Sequence, residues 1–422
     1  MPYHASVFAR RASWDLSHND LSRRLDARRA AGLPILDLTE SNPTRCDFSF
    51  PARLLREALE RLASDPRAER YQPDAKGDSV ARRAISDYHA AQGGAPTREH
   101  VVLTAGTSEA YAHLFRLLGD PGDRVLVPAP SYPLFGFLAE LEGLEAAPYA
   151  LRFRADTEEW RIDLDSLEAA CDARTRAVVV VHPNNPTGGF VRETDLSALR
   201  SLCVRRELAL ISDEVFADYA LDESSGRWPG TLLAGADAPG APLTFVLSGV
   251  SKSLALPQLK LAWIVVAGPA LLRDEALARL EVIADTYLTV NALGQLLLPN
   301  LLAGRAAAQA EILGRVRTNR AILRRALGAY SGATLLPADA GWCAIVRVQG
   351  MPGGPPPDED ALVAELLDGP GVLVQPGWFF DLIPDAEEKA AHLVLSLLPV
   401  PKVFTAGADA LARICFDAAP PR

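Results

Sequence analysis

Residues 177–189 read AVVVVHPNNPTGG, an apolar β-branched run that stops at a loop of proline, asparagine and glycine. Such a run is typical of a strand buried on both faces of a sheet, and the prolines and glycines that follow end it. Four other short apolar runs have the same form and are also predicted to be strands: 101–103, 124–127, 208–211 and 243–247. The run at 177–181 is therefore predicted to be one strand of a larger buried sheet.

Amphipathic stretches typical of helices lie between these strands, among them 53–63, 108–118 and 195–206. Strands that alternate with helices predict an α/β fold with a mostly parallel, doubly wound sheet. The charged stretch 10–31 is also helical in pattern and ends at Gly32.

Three parts are predicted along the chain. An N-terminal segment (1–45) packs on the small domain, a large domain covers 46–300, and a smaller C-terminal α/β domain covers 301–422. A mainly helical stretch at about 271–330 links the two domains, and the glycine- and proline-rich run 350–357 is predicted to be a surface loop.

Composition excludes several classes of protein. The 43 Lys and Arg residues against 53 Asp and Glu residues give a net charge of −10, which argues against a general nucleic-acid binder. The five cysteines are far apart and form no CxxC pair, which predicts reduced thiols in a cytoplasm and no metal site. The longest uncharged apolar stretch, near 261–272, is too short for a membrane span, and the N-terminus lacks the apolar core of a signal peptide.

Polar side chains follow each predicted strand, and in α/β sheets ligands bind beyond the carboxyl ends of the strands. This edge collects the start of a helix at 104–109, Tyr132, Asn185, Asp213 and Lys252. Amides at a helix N-terminus suit a phosphate, and an aromatic ring suits a flat heterocycle. A carboxylate suits a protonated ring nitrogen, and a lysine suits an aldehyde. Together these groups fit pyridoxal 5'-phosphate.

From about residue 36 to residue 398, the chain resembles the class I/II aminotransferases, which are pyridoxal-phosphate enzymes of fold type I. Five motifs carry the resemblance, in the family's order and approximate spacing: TAGTSEA (104–110), PSYPLF (130–135), HPNNPTGG (182–189), SDEVF (212–216) and LSGVSKSLALPQLKLAW (247–263). The resemblance implies a large and a small domain, pyridoxal phosphate as the cofactor, and a homodimer.

The resemblance also implies roles for single residues. Lys252 would form the Schiff base with the cofactor and, once released, move the proton between the substrate Cα and the cofactor. Asp213 would hold the proton on the pyridine nitrogen, and Asn185 would donate to the phenolic oxygen and contact the substrate carboxylate. Tyr132 would stack on the ring.

Further residues are implied at the phosphate and in the substrate pocket. Gly106, Thr107 and Ser108 would bind the phosphate, although Thr107 or Ser108 could equally be a plain helix N-cap. Tyr71 would reach the phosphate of the neighbouring subunit. The substrate would meet the backbone at Ser41 and the side chain of Trp342, two positions that turn chemistry and core packing explain as well.

Four positions depart from the family pattern. Lys260 stands where the family has a phosphate-binding arginine, and lysine lacks the planar fork of that side chain. Gly249 replaces a phosphate-binding serine, for which Ser248 or Ser251 could substitute. Phe216 replaces a tyrosine that donates to the phenolic oxygen, a role that Tyr219 could fill. Val394 replaces the arginine that binds the α-carboxylate.

The sequence therefore predicts a cytoplasmic, homodimeric aminotransferase that moves an amino group between an amino donor and a 2-oxo acid. A β-lyase or decarboxylase on the same scaffold stays open, as does a non-catalytic regulatory module that binds the cofactor. For the α-carboxylate, Asn185, the backbone near Ser41 and an unmatched cation are expected. Arg347 is the nearest cation in sequence, but it could equally be a surface residue on its strand.

Overall fold

The computed structural model describes residues 7–221, 230–288, 290–328, 332–350, 357–382 and 390–417. The strands, in chain order, are β1 (Leu36–Asp37), β2 (Val101–Thr104), β3 (Arg124–Ala129), β4 (Glu145–Arg154), β5 (Glu159–Ile162), β6 (Thr175–Val181), β7 (Ala209–Asp213), β8 (Thr244–Gly249), β9 (Ala262–Ala267), β10 (Ala333–Leu335), β11 (Cys343–Gln349), β12 (Val372–Leu373), β13 (Gln375–Pro376) and β14 (Ala390–Ser396).

The α-helices, in the same order, are α1 (Asp20–Ala30), α2 (Phe50–Leu62), α3 (Ser79–Ala90), α4 (Thr107–Leu118), α5 (Phe135–Leu141), α6 (Leu164–Ala170), α7 (Glu193–Arg206), α8 (Val250–Ser253), α9 (Ala270–Thr286), α10 (Ala292–Ala303), α11 (Arg305–Gly328), α12 (Glu359–Asp368) and α13 (Pro401–Asp417). No helix in the described ranges is long and apolar enough to cross a membrane.

The larger sheet has the strand order β2-β9-β8-β7-β6-β3-β4-β5. Strands β4, β3, β6, β7 and β8 run parallel, whereas β9 is antiparallel to both β8 and β2. Strands β2, β3, β6, β7 and β8 therefore end at the same edge of the sheet. Helices cover both faces, because successive residues of each strand point to opposite sides and both sides are apolar. The predicted α/β fold with a mostly parallel, doubly wound sheet is confirmed.

Two apolar clusters lie on the two faces of this sheet. Val178 and Val180 of β6 belong to the cluster on one face, whereas Val179 and Val181 belong to the cluster on the other. Burial of branched side chains on both faces contributes roughly 1.5–3 kcal/mol for each, which is why the run at 177–181 forms a central strand.

A second sheet, antiparallel, has the order β10-β11-β14-β13 and lies in the C-terminal part of the chain. The N-terminal strand β1 pairs in parallel with β12, and α1 packs against α12. The N-terminal segment thus contacts elements of the C-terminal part, and the domain boundaries at 45 and 300 stay a prediction.

Three details differ from the sequence-based expectations. The helix predicted from residue 10 begins only at Asp20, because the Asn19 side chain accepts the amide of Ser22 and caps the helix there. The run near 261–272 divides into β9 and the start of α9. The partly polar β4 was not predicted. Most of the loop predicted at 350–357 lies outside the described residues.

Candidate active site

A cavity of about 440 Å³ opens at the carboxyl ends of the central strands. Most of the predicted site residues line it: Ser41, Thr107, Ser108, Tyr132, Asn185, Asp213, Lys252 and Trp342. They come from separate elements, and the parallel strands bring them to one edge. Gly106, Tyr71, Ser248, Ser251 and Lys260 are not in the lining.

Helix α8 presents Lys252 directly after β8. The Lys252 Nζ lies 5.2 Å from the ring centroid of Trp342 and 5.5 Å from that of Phe216. Burial lowers the pKa of Lys252 below its ordinary value. A lowered pKa enlarges the neutral fraction of the amine, and the neutral amine is the form that attacks a carbonyl carbon.

The backbone of Lys252 is held by Tyr219. The Tyr219 hydroxyl donates to the Lys252 carbonyl oxygen at 2.7 Å, and the ring is fully buried. This hydrogen bond fixes the backbone position of Lys252. The possibility that Tyr219 fills the role of the missing tyrosine at Phe216 is wrong, because its hydroxyl is already donated to the backbone of α8.

Asp213 ends β7 and lies almost buried in the cavity wall. Its Oδ1 accepts the Val215 amide at 3.1 Å, and its Oδ2 accepts the Tyr111 hydroxyl at 3.1 Å. Burial raises the pKa of Asp213 to about 6, while the two donors and the charge of Lys252 act to lower it. A cation inside the cavity would stabilise the charged form of this buried carboxylate more than a neutral partner would.

Sequence reasoning missed Tyr111, which also lines the cavity. It lies on α4 three residues after Ser108, so both side chains share one helix face. The spacing between Ser108 and Tyr111 predicts that Tyr111 faces the site, but the sequence does not predict that its hydroxyl bonds to Asp213 on β7.

The amino end of α4 provides donors for an anion. Thr107 and Ser108 line the cavity in the first turn, where the backbone amides of a helix are unsatisfied. A Cβ atom placed on Gly106 would lie 3.4 Å from the Lys260 Nζ, so the lysine reaches the start of this helix. Hydroxyls, amides and an ammonium group around one point suit a phosphate.

Asn185 lies in the lining after β6, and its Oδ1 accepts the Cys343 thiol at 3.3 Å. With the oxygen held in this way, the amide nitrogen of Asn185 is available to donate towards the cavity. Cys343 was not among the predicted site residues. It begins β11 and lies beside the loop after β6, since the backbone amide of Ala340, just before β11, donates to the Gly188 carbonyl oxygen of that loop at 3.0 Å.

Ser248 and Gly249 have different surroundings from those expected. Ser248 is fully buried in β8, pairs in register with Trp263 and lies beside the Tyr88 phenol. It is outside the lining, and its role at the phosphate stays a prediction. A Cβ atom at Gly249 would come within 2.8 Å of the Ala262 Cβ. Because β9 approaches so closely, a serine does not fit at position 249 without a shift.

Ser251 and Tyr71 stay predictions. Ser251 is half-buried on α8 next to Lys252, outside the lining. Tyr71 is 75% exposed, which is an unusual position for a large aromatic ring.

Val394 lines the cavity from β14 and is 2% exposed. Arg347 lies on β11, where it pairs in register with His392 of β14, and it does not line the cavity. Its side chain is half-buried, and the alternative that it is a surface residue on its strand stays a prediction. Within the described ranges, Lys252 is the one lysine or arginine of the lining.

Solved structures of aminotransferases resemble this chain over nearly its whole length. The structure of alanine aminotransferase from Pyrococcus furiosus superposes with a TM-score of 0.83 at 22% identity, over 97% of this chain and all (100%) of that one. The fold is therefore that of the fold type I aminotransferases. Residues 34–389 match the family model for class I and II aminotransferases, and the chain belongs to this family.

Named relatives in this family act on different amino donors. The chain is 30% identical to the arginine–pyruvate transaminase of Pseudomonas aeruginosa, over 96% of this chain and 93% of the relative. It is 28% identical to the alanine aminotransferase of Mycobacterium tuberculosis, over 91% and 86%. The glutamate–pyruvate aminotransferase of Escherichia coli is 29% identical, but the match spans 64% of its length and 65% of this chain.

Proposed function

We propose that this protein is a pyridoxal-phosphate-dependent aminotransferase that moves an amino group between an amino donor and a 2-oxo acid. The observation that carries the proposal is that Lys252 and Asp213 share one cavity wall with the amino end of α4. The family match and the names of the relatives support it.

The donors around the cavity fit pyridoxal phosphate at each of its polar groups. Thr107, Ser108 and the Lys260 amine suit the phosphate, and the Asn185 amide nitrogen suits the phenolic oxygen. Asp213 suits the protonated ring nitrogen, because its carboxylate is buried in the cavity wall and a cation there would stabilise its charged form. Tyr132 and Val181 line the cavity and can flank a flat ring. When bound, the cofactor supplies an electron sink for the bond that breaks at the substrate Cα.

Lys252 performs the proton chemistry in this proposal. Its amine would hold the cofactor through the aldehyde and, once released by the amino donor, would be free to act as a base. Burial lowers the pKa of Lys252, which enlarges the neutral fraction of the freed amine, and that amine would take the Cα proton and deliver it to the cofactor. The cation–π contacts with Phe216 and Trp342 keep the side chain directed into the cavity in its charged state.

The assembly and location are part of the proposal. We propose a homodimer in which the exposed Tyr71 of one subunit reaches the phosphate site of the other. We also propose a cytoplasmic location, to which the free thiols of all five cysteines are suited. No observation in the structure favours a lyase, a decarboxylase or a regulatory module over the aminotransferase.

The test is a pair of half-reactions observed by absorbance. Protein loaded with pyridoxal phosphate is mixed with single amino donors, and conversion of the bound cofactor to its amine form is recorded. A 2-oxo acid is then added, and the original spectrum returns if the amino group is transferred. Accumulation of ammonia or of carbon dioxide without formation of the amine form supports a lyase or a decarboxylase instead.

A further inference from the structure

The cavity wall is apolar over much of its area. Leu134, Phe135, Leu138, Phe379, Phe380 and Val394 all contribute to it. These residues come from the start of α5 and the residue before it, from the helical turn Gly377–Phe380 and from β14, so two separate parts of the chain supply the same kind of surface. A wall of this composition suits a substrate with an apolar body.

The charges of the lining leave nothing for a second anion. Within the described residues, Lys252 is the one basic and Asp213 the one acidic side chain of the wall. The two charges offset each other, and the proposed function assigns both to the cofactor. A donor α-carboxylate beside Val394 would lose its hydration without gaining a positive partner from the described lining, which disfavours a donor that carries one. The 2-oxo acid of the other half-reaction bears the same cost, so we expect it to act only at high concentration.

The position where the resemblance expects an arginine is filled by hydrocarbon. Val394 packs with Ile345, Phe380 and Leu382 in one buried cluster. Its register partner is Gln375, and Ser396 lies two residues further along β14 on the same face. The polar groups beside Val394 in the lining are thus a neutral amide and a hydroxyl.

We propose that the amino donor carries an uncharged group where ordinary α-amino acids carry the carboxylate, and that its body is apolar. Primary amines and amino alcohols are the chemical classes that satisfy this. Gln375 and Ser396 provide donors and acceptors for a hydroxyl or amide, and Val394 contacts the carbon that bears it. This inference rests on the proposed function and specifies the substrate of the same site.

The reaction balances without an added oxidant. The donor carbon is oxidised by two electrons, and the cofactor would take up those electrons together with the donor nitrogen. Lys252 would take the Cα proton and deliver it to the cofactor carbon. Water supplies the carbonyl oxygen as the donor carbon leaves. A primary amine or an amino alcohol with its nitrogen on a terminal carbon leaves as an aldehyde, and an amino alcohol such as leucinol leaves as a hydroxyketone.

Three donors with one apolar body test the inference: L-leucine, L-leucinol and isoamylamine. Each is mixed with protein loaded with pyridoxal phosphate, and the apparent second-order rate constant of the half-reaction is measured. We expect leucinol and isoamylamine to exceed leucine by at least about tenfold, which corresponds to about 1.4 kcal/mol. A leucine rate equal to or above both neutral donors overturns the inference and leaves the aminotransferase proposal intact.

A pair of variants locates the preference at β14. Val394→Arg should raise the leucine rate constant relative to leucinol by about tenfold or more, because the guanidinium pairs with the carboxylate. Val394→Met, which adds length without charge, should keep the preference for neutral donors. A shift of the same size in both variants assigns the preference to shape and contradicts the role given to charge.

A binding measurement decides the inference without turnover. Isocaproamide and isocaproate have the same apolar body and differ in one charged group, and calorimetry gives their affinities for the loaded wild-type protein. Tighter binding of the amide is expected, and tighter binding of the carboxylate overturns the inference. If no donor of any kind converts the cofactor, the proposed function fails, while this comparison still decides the charge preference of the cavity.

Discussion

At the scale of single residues, the charge state of Asp213 depends on the Tyr111 hydroxyl. Burial favours the neutral carboxyl, whereas the hydrogen bond from Tyr111 favours the carboxylate. A hydrogen bond to a charged group contributes about 1.5–3 kcal/mol, enough to move a buried carboxyl by one pKa unit or more. Tyr111 is therefore a positioning residue that keeps Asp213 ready for a cation.

The variant Tyr111→Phe tests this dependence. We expect weaker binding of pyridoxal phosphate and a slower half-reaction, because the pKa of Asp213 rises when a donor is lost and less carboxylate is available near pH 6. The loss should diminish at higher pH, where the carboxylate forms without help. The rate constant is measured as a function of pH in the variant and in the wild type.

Tyr88→Phe is the matched control. The Tyr88 hydroxyl also donates to a partly buried carboxylate, that of Asp218, but neither residue lines the cavity. The control should lose stability without the shift in the pH profile. An equal shift in both variants contradicts a specific role for Tyr111.

At the scale of elements, the close approach of β8 and β9 explains why glycine stands at position 249. The backbone there is extended, so conformation does not require glycine, but a Cβ atom would meet the Ala262 Cβ and the Leu261 carbonyl oxygen. In the proposed function, α4 and Lys260 therefore bind the phosphate without a serine at position 249.

Gly249→Ser should destabilise the protein by about 1–3 kcal/mol, the usual cost of overpacking a buried contact. Chemical denaturation measures the free energy of unfolding. Gly136→Ser on α5 is the control, because a Cβ atom there meets nothing within 4 Å. Equal stability of the two variants contradicts the close contact between the strands.

Elements differ in how well the sequence predicts them. The strand at 177–181 was predicted because burial on both faces leaves a continuous apolar run. Strand β9 was not, because the run at 261–272 crosses from a strand into α9 without a polar break. The sequence predicts which side chains follow the strands, and these lie at one edge of the sheet because parallel strands end there. Tyr111 and Cys343 were not, because their partners depend on how separate elements pack.

At the scale of the whole molecule, stability depends on pH through buried groups of two kinds. Burial raises the pKa of Asp218 to about 6 and lowers the pKa of His89 to about 3. Asp218 contributes stability below its unfolded pKa near 4 and loses it as the pH rises to 6. His89 contributes stability above its unfolded pKa near 6.5 and loses it as the pH falls to 3.

The variant Asp218→Asn separates the contribution of Asp218 to the pH dependence of stability from that of His89. The free energy of unfolding of the variant, relative to that of the wild type, should rise between pH 4 and pH 6 by up to about 3 kcal/mol, because the amide has no charge to bury. Asp87→Asn at an exposed position of α3 is the control and should show no such change. A constant difference between Asp218→Asn and the wild type over this pH range contradicts the raised pKa.

The proposed dimer is tested by mixing two inactive variants. If Tyr71 acts on the partner's site, a mixed dimer of Tyr71→Ala and Lys252→Ala has one site with both lesions and one intact site. Denatured and refolded mixtures should then regain about a quarter of the wild-type activity. Activity that stays at the level of the separate variants contradicts a shared site.

The most direct test of the proposed role of Lys252 is to identify the lysine that is covalently bonded to the cofactor. Protein loaded with pyridoxal phosphate is reduced with borohydride, digested and examined by mass spectrometry. We predict one added pyridoxyl phosphate group on the peptide that contains Lys252, and the same modification in Lys260→Ala. A label on Lys260 or on another lysine, or no label in the wild type, would contradict it.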